Sequence, residues 1–177
     1  MKKQVLSIGV LLFAMVVNSF GADIQTYRND ELGFEISYFS NWKKEKSLNN
    51  APFFINRNST TEIGTISVDV RNFKGNRDEF MGKVRLSPNM ITEGIKKRFP
   101  DASLGEHSET YLGGFPAYFI TTYYTLKNLN VEIPLVTLQI VCIKGKFIYL
   151  VMFESTVAAS EKIFDEFQAI LSTFNFR

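Results

Sequence analysis

The chain has 177 residues, of which 45% are hydrophobic and 21% charged, a balance that excludes wholesale disorder and suits one folded domain. Its 20 Lys and Arg stand against 18 Asp and Glu, a formal charge of +2, too weak a field to draw nucleic acid or an anionic membrane. With one cysteine, Cys142, no intramolecular disulfide can form, so the domain is held together by burial alone.

The N-terminus reads as an export signal. Lys2 and Lys3 form a short positive region, Val5 to Val17 an apolar one, and Ser19-Phe20-Gly21 places small residues at −3 and −1 of a cleavage site after Gly21. The apolar stretch falls short of the roughly 20 residues of a membrane-spanning helix. We therefore expect residues 1–21 to be removed and 22–177 to form a single exported domain, periplasmic or extracellular, with no membrane span. Lys2 and Lys3 leave with the signal, and the mature chain is then electrically neutral, which also argues against nucleic acid as a partner.

Thr26 to Tyr38 predicts a β-hairpin, with its turn at Asn29-Asp30-Glu31-Leu32-Gly33. Phe34, Ile36 and Tyr38 alternate with Glu35 and Ser37, the pattern of a half-buried strand. Ala51 to Asn56 and Ile63 to Asn72 predict two more strands, the second with Ile66, Val68 and Val70 on one side and Ser67, Asp69 and Arg71 on the other. Asn76 and Glu79 have capping-box spacing, and Ser87-Pro88 marks a second helix start. That second helix carries Ile91, Ile95 and Phe99 on one face and ends at Pro100. Ala102 to Leu112, Phe115 to Thr125, Glu132 to Ile143 and Phe147 to Glu154 then read as consecutive strands, with turns at Gly113-Gly114 and Lys144-Gly145-Lys146. The unbroken apolar run from Phe147 to Phe153 predicts a central strand covered on both faces. A closing helix from about Ala158 to Phe174 aligns Ile163, Phe164, Phe167, Ile170, Leu171 and Phe174 in one apolar stripe. Consecutive strands without helical crossovers imply an α+β fold on an antiparallel sheet. The 17 Phe and 7 Tyr fit a β-rich, bulky core.

Gly33-Phe34-Glu35-Ile36-Ser37-Tyr38, followed by Asn41-Trp42, resembles the opening of the PsbP/Mog/DcrB superfamily, Gly-Phe-x-Ile-x-Tyr-Pro-x-x-Trp. Phe39 stands where that pattern has Pro. Leu112-Gly113-Gly114-Phe115-Pro116-Ala117 is similar to the superfamily's later hairpin, and Tyr149 to Phe153, a helix and Phe174-Asn175-Phe176 resemble its close. The resemblance implies an α/β/α sandwich with a central antiparallel sheet flanked by helices. It implies accessory or docking roles and transfers no catalytic motif.

Chemistry-bearing residues are sparse. His107 is the only histidine, and no G-x-S-x-G elbow accompanies it, so it reads as a solvated strand-edge residue. Cys142 lies between Val141 and Ile143 and reads as a buried, inert thiol. One His and one Cys, far apart, do not make a zinc site, no calcium loop is present, and no Gly-rich phosphate loop is visible. No cofactor or metal is expected. Lys96-Lys97-Arg98 suits a helix C-terminus. Lys43, Lys44 and Lys46 after Trp42 read either as a solvated turn or, with Trp42, as a docking patch for an acidic partner. Three functions compete: a non-catalytic envelope protein that binds or assists assembly of a partner protein, a small-molecule or lipid carrier with an aromatic-lined pocket between sheet and helix, and a hydrolase acting through paired carboxylates.

Overall fold

Hydrophobic alternation becomes burial first in the opening hairpin. In the computed structural model, which describes residues 23–47, 50–58, 63–128 and 131–177, β1 (Ile24–Asn29) and β2 (Phe34–Phe39) pair antiparallel, with Tyr27 opposite Ile36. Phe34, Ile36 and Tyr38 are buried and Glu35 and Ser37 half-buried, as the alternation predicts. Gly33 sits in the turn at φ +68°, a conformation that costs a residue with a Cβ but not glycine. The expected signal and its cleavage site lie outside the described residues.

The chain continues through β3 (Lys43–Lys44), β4 (Phe53–Asn58) and β5 (Ile63–Asn72) into two helices, α1 (Arg77–Leu86) and α2 (Asn89–Lys96). The Asn76 side chain accepts from the Glu79 amide at 3.0 Å, but the Glu79 carboxylate turns to Lys83 at 2.6 Å, so half of the expected capping box forms. The second helix starts differently from the expectation. Ser87 closes α1, its amide donating to the Lys83 carbonyl at 2.9 Å, and its hydroxyl does not cap α2. Pro88, at φ −60° and ψ −24°, is already helical, so the chain turns from one helix directly into the next.

Four long strands follow, β6 (Ser103–Leu112), β7 (Phe115–Asn128), β8 (Val131–Lys144) and β9 (Phe147–Thr156), then α3 (Val157–Ser172) and a short β10 (Asn175–Phe176). The tight β6–β7 turn runs through Gly113 at φ +52°, where a Cβ would meet the Phe176 ring at 2.9 Å. All strand pairs are antiparallel. The larger sheet has the order β3-β4-β5-β9-β8-β7-β6, and the smaller one β1-β2-β10. Mostly antiparallel sheet with three helices is the α+β class expected from the sequence.

Two apolar clusters lie on opposite faces of the larger sheet. In β7, Ala117 and Phe119 join one cluster, and Tyr118 and Ile120, the alternate residues, join the other. The first cluster takes in Ile163, Phe167 and Ile170 of the closing helix and Phe174 just beyond it, with Phe34, Ile36 and Tyr38 of β2; the helix ends at Ser172, short of the Phe174 expected from the sequence. Phe167 stacks on Phe153 with centroids 4.8 Å apart, and Phe174 on Phe34 at 5.5 Å. Phe164 and Leu171 flank the stripe and are half-buried. The second cluster is smaller, built on Met81 and Val84 of α1 against Tyr118, Ile120 and Ile143.

The position of β9 is central, fourth of seven, but its cover is unequal. Tyr149, Val151 and Phe153 are buried, whereas Leu150, Met152 and Glu154 are half-buried. The expectation that both faces are fully covered is thereby corrected. On the second face α1 and α2 lie mainly against β7 and β6; Ile148 near the start of β9 packs into the cluster under α1, and the later part of β9, with the facing part of β5, is more open.

Candidate functional site

The residues singled out from the sequence separate in space. Trp42 is 1% exposed, and its indole N–H donates to Glu166 Oε2 at 2.8 Å. Glu166 in turn pairs with Arg57 at 3.0 Å. Trp42 is therefore a core residue that fastens the segment after β2 to α3, not a surface anchor. Lys43, Lys44 and Lys46 are exposed; Lys44 Nζ sits 4.8 Å from the centre of the Tyr27 ring. His107 lies exposed on the edge strand β6, its Nδ1 2.8 Å from the Tyr118 hydroxyl. Cys142 is fully buried, with its thiol facing the Pro116 carbonyl at 3.6 Å, and burial pushes it up to about 11. Among the described residues no group of three or more His, Cys, Asp or Glu could hold a metal ion.

The concave feature lies on the uncovered part of the second sheet face. A groove of about 710 Å³ runs there, walled on one side by the end of α2 and on the other by the segment after β3. The strand registers decide its floor. Asn56 is opposite Thr65, Thr65 opposite Glu154, Glu154 opposite Thr137 and Thr137 opposite Thr122. One polar row thus crosses five strands, β4-β5-β9-β8-β7. The next row toward α1 is Phe54, Ser67, Met152 and Gln139. The two rows are about 7 Å apart along the strands, the repeat of alternate residues on one face.

Electrostatics and hydrogen bonds stiffen this floor. The Tyr124 hydroxyl donates to the Glu154 carboxylate and accepts from Thr137 Oγ1 at 3.3 Å. Burial, then the Glu154 contact, pushes the Tyr124 phenol well above its usual range, so it remains a neutral donor. Its ring stacks on Phe99 at 4.5 Å between centroids. Asp69 is held by Arg71 at 2.8 Å. The acids Glu45, Asp69 and Glu154 are matched in number by Lys46, Arg71 and Arg98 around the groove.

Of the three acids around the groove, Asp69 and Glu154 stand on the sheet itself, and their strand positions bear on the hydrolase reading. Asp69 is four residues along β5 from Thr65, the partner of Glu154, or roughly 13 Å at the strand repeat. Paired glycosidase carboxylates lie about 5–9.5 Å apart, and each of these two is already engaged by its own neighbour.

Sequence reasoning found the alternation of Ser67, Asp69 and Arg71 against Ile66, Val68 and Val70 but not the row across the sheet. That row joins strands far apart in the chain, and register is what brings them together.

Known proteins agree with this geometry at the level of fold. The family described as PsbP-like protein matches residues 15–176. The solution structure of cyanobacterial PsbP (CyanoP) from Synechocystis sp. PCC 6803 is similar with a TM-score of 0.63 and 15% identity, over 96% of this chain and 99% of that one. LpqN of Mycobacterium tuberculosis, involved in cell envelope biogenesis, has a TM-score of 0.59 and 13% identity over 88% of this chain and 91% of its own. The Ran-binding protein Mog1p of Saccharomyces cerevisiae has the same TM-score with 8% identity, covering 88% and 96%. No curated protein matches by sequence. At these identities the likeness is one of fold.

Proposed function

From the premise that this chain belongs to the PsbP-like family, within the PsbP/Mog/DcrB superfamily, we propose that it is a non-catalytic exported protein of the cell envelope that works by binding a partner protein or assisting its assembly. The observation that supports this reading is the groove on the more open part of the second face of the larger sheet, over β5 and β9, a concave surface that a partner could occupy. We read the layers as the α/β/α sandwich implied by the resemblance, with its second helical layer incomplete over β5 and β9. Relatives of the fold include a Ran-binding protein and a protein of cell envelope biogenesis, which supports a binding role without naming the partner. No helix of the described residues is long and apolar enough to cross a membrane.

The exposed lysines Lys43, Lys44 and Lys46 at the β3 edge are the docking patch of this reading, with Trp42 behind them in the core. Affinity capture from host envelope extract tests it, comparing the wild type with a Lys43/Lys44/Lys46→Glu variant of intact fold. One partner recovered by the first and lost by the second supports the patch. Equal recovery removes the patch, and recovery of nothing removes partner binding. Export is tested by N-terminal sequencing of the protein from its host, with Ala22 expected first. A full-length chain in the inner membrane would refute it.

A second reading, a small-molecule carrier, is favoured by one observation. The groove's volume of about 710 Å³ lies inside the usual range of ligand pockets, roughly 300–1,000 Å³.

A further inference from the structure

The floor of the groove is lined by Asn56, Thr65, Ser67, Thr137 and Glu154, each with a hydrogen-bonding side chain. Asn56, Thr65 and Glu154 are half-buried there and open to an occupant, while Ser67 and Thr137 are buried beneath. Such a floor suits an occupant that brings its own donors and acceptors.

We propose that the groove binds a neutral, polyhydroxylated ligand, a segment of an oligosaccharide. Sugar hydroxyls meet Asn56, Thr65 and Glu154, and the apolar face of a ring lies on Phe54 and Met152. This rests on the small-molecule reading above and specifies its ligand class.

Three features select that class. First, the rim has as many acids as bases, so it offers neither an anion nor a cation a dominant field. Second, one polar and one mixed apolar row run side by side at about 7 Å, matching a ligand with a hydroxyl edge and a hydrocarbon face. An acyl chain laid on the same floor would strip Asn56 and Thr65 of solvent without replacing its hydrogen bonds, at a cost of about 1–3 kcal/mol for each group left unpaired. Third, the strands under the groove, β5, β9 and β8, are paired on both sides, so no backbone edge is free to add an extended peptide. Glu154 is fixed by Tyr124, which presents its carboxylate in one orientation before the ligand arrives.

The test is a titration of the ¹⁵N-labelled full chain, followed by its amide spectrum, with maltohexaose, cellohexaose and chitohexaose as probes and laurate as the apolar anionic control. The expected result is saturable shifts around Asn56, Thr65 and Glu154 with at least one oligosaccharide, at a Kd of about 1 mM or tighter. Affinity should fall at least about tenfold, or 1.4 kcal/mol, in an Asn56→Ala/Thr65→Ala variant whose spectrum is otherwise native. Shifts with laurate alone would overturn the sugar class and keep the small-molecule reading. Shifts with none of the four would overturn both. Oligosaccharide shifts elsewhere on the surface, or binding unchanged in the variant, would overturn the site.

Discussion

The two faces of the seven-stranded sheet are made by the same strands, and alternate residues give them different tasks. In β9, Tyr149, Val151 and Phe153 point to one face and are buried in the larger cluster, while Leu150, Met152 and Glu154 point to the other and stay half-open. The closed face is aromatic and holds Phe34, Trp42, Phe53, Phe153 and Phe167 at no more than 1–2% exposure. The open face carries a smaller apolar cluster under α1 that reaches Ile148 of β9, and beyond it hydroxyls, amides and charges along β5 and β9. A domain without a disulfide concentrates its stability in one packed face, which leaves the other free to be polar.

The strongest way to break this comparison is to remove a ring from the closed face. Phe167 is 1% exposed and stacks on Phe153. Phe167→Ala should cost roughly 3–5 kcal/mol in chemical denaturation. Leu171→Ala, at the half-buried flank of the same stripe, should cost clearly less. A loss below about 1 kcal/mol for Phe167, the scale of a surface change, would show that α3 does not close this face.

The polar fastening inside the closed side gives the next effect. Glu166 is 8% exposed and receives the Trp42 indole and Arg57. Glu166→Ala leaves the buried Trp42 indole without its acceptor and removes the Arg57 ion pair, and should cost about 3 kcal/mol, as breaking a buried pair does. Glu166→Gln retains an acceptor oxygen for the indole and should cost visibly less. Equal losses for the two variants would mean that packing, not the hydrogen bond to Trp42, fixes this segment.

The closed face was legible in the sequence because it follows spacing. The period-two burial of Phe34, Ile36 and Tyr38 and the stripe Ile163, Phe167, Ile170 and Phe174 both appear where the alternation and helical repeat put them. At Ser87-Pro88 the expected cap fails because Ser87 closes α1 and its hydroxyl does not cap α2, while Pro88 has the helical conformation expected of it. Trp42 beside Lys43 looks like an interface anchor in one dimension, yet its partner Glu166 lies 124 residues away. The polar row of Asn56, Thr65, Glu154, Thr137 and Thr122 needs four strand registers at once, and none of those is encoded locally. Nor does any short-range signal place Asn175 and Phe176 as a third strand beside β2.

Alkaline pH sharpens the contrast from the side of burial. Burial holds the Cys142 thiol up at about 11 against 9.0, and pushes the Tyr149 phenol up as well. Below pH 9 both folded and unfolded thiols are protonated, and the full stability is present. Between pH 9 and 11 the unfolded chain releases its proton first, so stability falls as pH rises through that window. Cys142→Ala should flatten this part of the stability–pH curve while lowering the neutral-pH plateau through lost packing. A wild-type curve with no fall before pH 11 would show that the thiol is not desolvated.

The smallest effect is expected on the open face, and it decides whether the comparison is about function or only about packing density. Thr65 stands in the middle of the polar row, between Asn56 and Glu154, and lines the groove without a side-chain hydrogen bond to another described residue. Thr65→Ala removes a hydroxyl that no fold contact uses, so its stability should stay within about 0.5 kcal/mol of wild type. If the open face is there to receive a ligand, the same substitution must register in binding while folding ignores it. Denaturation midpoints and oligosaccharide titrations of one variant therefore answer together. A stability loss comparable to that of Phe167→Ala would make the polar row part of the scaffold, and the two faces would then differ in composition but not in task.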